Sequence, residues 1–111
     1  MATCEMKEFI EVAAVQTGDV SDISIDQAVC NAEIIDIGTG IRQHGHCWSE
    51  VTGFKLDDAD TRATQLGRIT QLGPFSSTLS NLSPGKTYYV KAYINSVGII
   101  SYGREISFTT K

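Results

Sequence analysis

The chain has 111 residues, 41% hydrophobic and 20% charged, which suits one domain able to bury a single core without metal or disulfide staples. A net charge of −4 and nine scattered basic residues leave no basic stripe, which excludes a phosphate-backbone surface for nucleic acid. No apolar run approaches the ~18 residues of a membrane span, and no signal peptide is read at the start.

In chain order, residues 1–8 form a polar leader and residues 9–111 a single domain. Short apolar runs between Phe9 and Val20 suggest a first edge strand. From Gln27 to Ile35 the pattern alternates, with Ala28, Cys30, Ala32 and Ile34 on one face, the period of a strand buried on one side. Gly38-Thr39-Gly40 is a turn, and Ile41 to Ser49 the next strand. Residues 50–63 are polar and irregular and read as a loop, after which Thr64 to Gln71 holds one short strand. Phe75, Ser77 and Leu79 alternate in the segment 74–80.

Pro84-Gly85 is a strong turn signal, because Pro presets φ and Gly accepts the positive φ of a type II turn. Tyr88, Val90, Ala92 and Ile94 then alternate with Tyr89, Lys91, Tyr93 and Asn95. Tyr88 stands six residues after Leu82 and three after Gly85, the setting of a tyrosine corner whose hydroxyl bonds upstream backbone. Ile99 to Thr110 closes the chain as one strand. No stretch carries a helical period with start and stop signals. About seven short strands spell an antiparallel immunoglobulin-like sandwich. Segments 10–17, 27–35 and 74–80 form one sheet, and 41–49, 64–68, 87–95 and 100–109 the other. The expected core is Ala28, Cys30, Ala32, Ile34, Phe75, Leu79, Leu82, Tyr88, Val90, Ala92, Ile94 and Phe108.

Four motifs then stand in order: Gly45-His46-Cys47-Trp48-Ser49, Gly73-Pro74-Phe75-Ser76-Ser77-Thr78-Leu79, Tyr88-Tyr89-Val90-Lys91-Ala92-Tyr93, and Tyr102-Gly103-Arg104-Glu105-Ile106-Ser107-Phe108-Thr109-Thr110. Together they resemble the fibronectin type III-like domains common in surface and secreted proteins of Bacteroidetes-type bacteria, over roughly residues 10 to 110. The resemblance implies a non-enzymatic module outside the cytoplasm, a spacer, adhesin part or carbohydrate-associated appendage. Its partner would be a protein or a cell-surface polysaccharide. Val51-Thr52-Gly53-Phe54 departs from the family, where a Pro-Thr pair usually follows the Trp strand.

The facing of strand 41–49 decides the candidate site. Polarity favours burying Ile41, Gly45 and Cys47, which turns His44, His46 and Trp48 outward beside Tyr89 and Tyr93. Such a flat aromatic row stacks on sugar rings or makes a protein contact. The size of Trp48 argues the opposite, since sandwiches often bury a Trp here, and a one-residue shift inverts the whole face. His44, His46 and Glu50 share a face and form a workable metal pair with an acid, yet too few ligands for a structural zinc, so no metal is expected. Asp57-Asp58-Ala59-Asp60 lacks the Gly and Glu positions of a calcium loop and reads as a solvated acidic turn. No phosphate loop, zinc-protease or serine-hydrolase motif is present, so neither catalysis nor a cofactor is expected. Three cysteines leave at least one free or paired between chains. A Cys30–Cys47 bridge requires both to face the core, and Cys4 suits the acylated start of a lipoprotein.

Overall fold

The computed structural model describes residues 13–111. The polar leader, the Cys4 anchor and the part of the first strand before Ala13 lie outside the described residues. Eight strands follow: β1 (Ala14–Ser21), β2 (Ala28–Asp36), β3 (Gln43–Ser49), β4 (Arg62–Ala63), β5 (Gly73–Leu79), β6 (Thr87–Ser96), β7 (Ile99–Tyr102) and β8 (Ile106–Thr109). All pairings are antiparallel. One sheet runs β1-β2-β5; the other runs β4-β3-β6-β7, with β8 also on β6. This is a two-sheet sandwich with the sheet membership expected from the sequence.

Between the sheets the alternating residues meet as predicted. Ala28, Cys30, Ala32 and Ile34 of β2 face Val90, Ala92 and Ile94 of β6, with Leu79, Leu82, Tyr88 and Phe108 completing the buried set. Phe75 is only partly buried at the margin. The Tyr88 ring stacks on Phe108 at 5.8 Å, and its Oη accepts the Ser83 N–H at 2.7 Å. Gly85, at φ 64°, turns the chain beneath that bond. The corner thus locks the entry of β6 to the loop before it, because a buried phenol needs a partner.

Two segments differ from expectation. The closing strand is broken at Gly103-Arg104-Glu105 into β7 and β8, because Thr17 of the opposite sheet enters the gap. The Ala92 N–H donates to Thr17 Oγ1 at 3.1 Å, and the Gly103 N–H donates to the Ala92 carbonyl at 2.9 Å. A Cβ at Gly103 would lie 2.6 Å from the Thr17 nitrogen and closer still to its hydroxyl, so only glycine permits the approach. The strand expected at 64–68 begins earlier and is regular only at Arg62–Ala63. Beyond it the chain follows β3 irregularly, through Thr64 N–H to the His46 carbonyl, Leu66 N–H to the His44 carbonyl (both 2.9 Å) and a bridge from Ile69 to Ile41.

Ile41 is buried between the sheets as expected, but the favoured facing is corrected for residues 43–49. His44, His46 and Trp48 point between the sheets, and Trp48 packs with Leu79, Leu82, Tyr88 and Phe108. Gly45 and Cys47 occupy the outer face. Polarity misleads here because both histidines find hydrogen-bond partners inside, so their burial carries no orphaned group. Gly45 is needed for a different reason: a Cβ there would lie 2.6 Å from Thr64 Oγ1 and closer still to its carbonyl oxygen.

Candidate functional site

On the inner face of β3, His46 is fully buried and ties the two sheets together. Its Nε2 lies 3.0 Å from the Asn31 carbonyl of β2, which can only accept, so Nε2 carries the proton. Its Nδ1 therefore accepts from Ser77 Oγ of β5 at 2.8 Å. Ser77 in turn accepts from Thr64 Oγ1 at 2.8 Å, and Thr64 Oγ1 accepts the His46 N–H at 2.9 Å. Every group in this ring has a partner. Burial holds the imidazole below its ordinary 6.5, partly opposed by the Asn31 carbonyl and reinforced by His44. His44 donates from Nδ1 to the Gly67 carbonyl at 2.7 Å and meets Phe75 edge-on at 4.7 Å. A serine hydroxyl on a histidine nitrogen has the outline of a nucleophile and base. Here the imidazole is fully buried and its other nitrogen bonds a backbone carbonyl. It is a cross-sheet brace.

The outer face of β3 and β6 is also covered, by the loop between β3 and β4. Phe54 inserts against Cys47 and Tyr93, with Leu56, Ala63, Tyr89 and Tyr102 around them. Lys91 fixes the cover. Its ammonium sits 4.4 Å from the ring centres of both Phe54 and Tyr102 and donates to the Phe54 carbonyl. The Leu56 N–H donates to Tyr102 Oη at 2.9 Å, while Thr52 Oγ1 and the Gly53 N–H donate to the Glu105 carboxylate. Tyr93 reaches the Thr64 carbonyl through its hydroxyl at 2.6 Å, and burial pushes its phenol up to about 12.

The five residues of the proposed aromatic row are therefore split by the sheet. His44, His46 and Trp48 lie inside; Tyr93 is buried on the outer face and Tyr89 partly so. They present no common exposed ring surface. The same facing separates Cys30, inside, from Cys47, outside. Both are free thiols that burial pushes up to about 12, which removes the Cys30–Cys47 bridge. Glu50 does not join the histidines but pairs with Lys86 at 3.2 Å. Among the described residues no three His, Cys, Asp or Glu side chains cluster as metal ligands. In the acidic turn, Asp58 accepts the Lys55 N–H at 2.8 Å, a purely local bond.

What sequence reasoning missed lies at the end of the sandwich where β1 begins. Strand pairing brings there the end of β2, the start of β5 and the β6–β7 hairpin. Ile35, Leu72, Val97 and Ile99 are each about half exposed at this end. Val97 also borders a 420 Å³ hollow with Ile37, Ile41, Ile69, Arg42 and Arg68. The signal was in the sequence as apolar residues beside turn glycines, at Ile35-Asp36-Ile37-Gly38, Leu72-Gly73 and Val97-Gly98-Ile99. The last residues sit at the opposite end, where the Lys111 N–H donates to the Ser24 carbonyl.

No family model matches the sequence, and neither does any curated protein. Solved structures do match. The sensor domain of the anti-sigma factor RsgI4 in Pseudobacteroides cellulosolvens superposes with a TM-score of 0.68 at 14% identity, over 88% of this chain and 93% of that one. A fibronectin type III domain from the human KIAA0970 protein gives 0.60 at 16% identity, over 86% and 72%. The fibronectin type III domain of human fibronectin type III domain containing protein 3 gives 0.52 at 14%, over 86% and 83%. The fold is a fibronectin type III-like β-sandwich. At these identities the likeness concerns the fold alone. No helix among the described residues is long and apolar enough to cross a membrane.

Proposed function

We propose that this chain is a non-catalytic protein-interaction module of a bacterial cell-surface or secreted protein. The observation that carries the reading is this end of the sandwich, where Ile35, Leu72, Val97 and Ile99 are exposed, Val97 borders a hollow with Arg42 and Arg68, and Leu72 borders another with Arg68. Exposed apolar side chains at strand ends and connecting loops, with charge beside them, are the ordinary make-up of a contact surface. The buried state of the Ser77–His46 pair, the one serine–histidine pair among the described residues, supports a non-catalytic reading. The surface or secreted setting rests on the resemblance of the four sequence motifs to Bacteroidetes-type modules. A sensor domain among the structural neighbours is in keeping with an interaction role.

The test is site-specific photocrosslinking in the producing cell. A crosslinker at Leu72 or Val97 is expected to give one discrete protein adduct, sensitive to protease added outside intact cells. The same group at Thr109, on the far part of the sheet, gives none. Adducts independent of position, or protection from external protease, contradict the reading. The alternative of a polysaccharide stacked on an exposed aromatic row loses its surface, because Trp48 faces inward.

A further inference from the structure

Two buried side-chain polar atoms among the described residues have no hydrogen-bond partner: Trp48 Nε1 and Thr61 Oγ1. Both residues line one 410 Å³ cavity, which lies between the corner of β6 and the β3–β4 loop. Tyr88 lines it too. Its Oη accepts the Ser83 N–H, and no acceptor among the described residues takes its own hydrogen. The lining residues therefore carry two unused donors, the indole N–H of Trp48 and the phenol O–H of Tyr88, beside the Thr61 hydroxyl able to give or take. Asp60, Glu50 and Arg62 stand at the same cavity. Glu50 is neutralised by Lys86, so Arg62 and Asp60 leave the site without net charge.

We infer that this cavity is a binding site for a neutral polyhydroxylated ring, a single sugar residue. Buried donors without partners are costly unless an acceptor arrives, and sugar oxygens supply acceptors in number. The carboxylates of Asp60 and Glu50 would accept from the ring's own hydroxyls, which a simple anion could not offer. The volume falls in the range of small-ligand sites and far exceeds the ~30 Å³ share of one water, so the cavity holds more than the orphans alone require. The two orphan atoms are themselves covered by their surroundings, so a ligand reaches them only as the lining side chains shift. This site shares Trp48 with the aromatic row, through its indole N–H rather than an exposed stacking face, and none of the residues of the loop end.

Trp48 is the only tryptophan, so its indole N–H gives a single signal in a proton–nitrogen spectrum of the labelled domain. The probes are glucose, xylose, N-acetylglucosamine and cellobiose, with trialanine amide as the peptide control. At least one sugar is expected to move that signal saturably. Thr61→Val should keep the fold and weaken the sugar by ~3- to 10-fold, the loss of one neutral hydrogen bond. Asp60→Asn should weaken it as well. Four results would overturn the inference: no shift with any sugar, a shift with trialanine amide alone, a shift unaffected by both variants, or an indole cross-peak to bound water that persists unchanged in saturating sugar.

Discussion

The two faces of the β3–β6 pair are both buried, but by different means. The inner face meets a second sheet, and its side chains interlock across strands fixed by ladders on both sides. The outer face meets a loop, held by Phe54, the Lys91 ammonium and a few hydrogen bonds from Leu56, Thr52 and Gly53. Opening the inner face separates the sheets and unfolds the domain. Opening the outer one requires only that a dozen or so residues lift away, with local rather than global loss of structure.

The largest contrast should come from truncating each core. Leu79→Ala, in the fully buried inner set, is expected to lower global stability by about 2–5 kcal/mol in denaturant unfolding. Phe54→Ala should cost about 1–3 kcal/mol, less than a fully enclosed Phe, because the loop can collapse onto the gap. Its loss of amide protection should stay within residues 50–61. Spread of that loss to β2 or β5 would make the two cores one. Next comes Tyr88→Phe, which removes the acceptor for the Ser83 N–H and should cost on the order of 1–2 kcal/mol. An unchanged melting curve would mean that the corner bond contributes nothing.

A pH series separates the faces in another way. His46 is held neutral inside, below its ordinary 6.5, so the unfolded chain binds a proton that the folded one refuses. Stability is complete above pH 6.5 and falls as pH drops below it, by at most about 1.4 kcal/mol per unit until the folded histidine itself titrates. His46→Gln should flatten the slope between pH 6.5 and 5, whatever it does to the absolute value. The smallest effect is expected on the outer face, where Lys91→Met keeps the apolar stem and loses the cation. About 0.5–1 kcal/mol should go, read by urea unfolding, with faster exchange in the loop.

The sequence made β2 and β5 legible because each alternates with one buried face, and β6 because its apolar inner residues alternate with Lys91 and Asn95 although a loop covers that outer face. The Pro84-Gly85 turn and Tyr88 were legible because their chemistry is local. The facing of β3 was not, since the strand is buried on both sides and offers no exposed polar face to read. Its inward histidines looked solvent-facing because the partners that satisfy them, Ser77, the Asn31 carbonyl and the Gly67 carbonyl, come from distant parts of the chain. The outer cover was hidden for a similar reason. Phe54 is one ring in a polar segment, and nothing local says that Lys91 and Tyr102 will hold it. The break between β7 and β8 depends on Thr17 arriving from the other sheet, a contact visible only in three dimensions.

The inward facing of β3 is the claim on which the rest depends, and the single tryptophan reports on it directly. Acrylamide quenching of Trp48 fluorescence in the native domain should be weak, with emission well to the blue of the unfolded chain. Quenching as strong as in the unfolded state, with red-shifted emission, would place the indole outside and return His44, His46 and Trp48 to an exposed row.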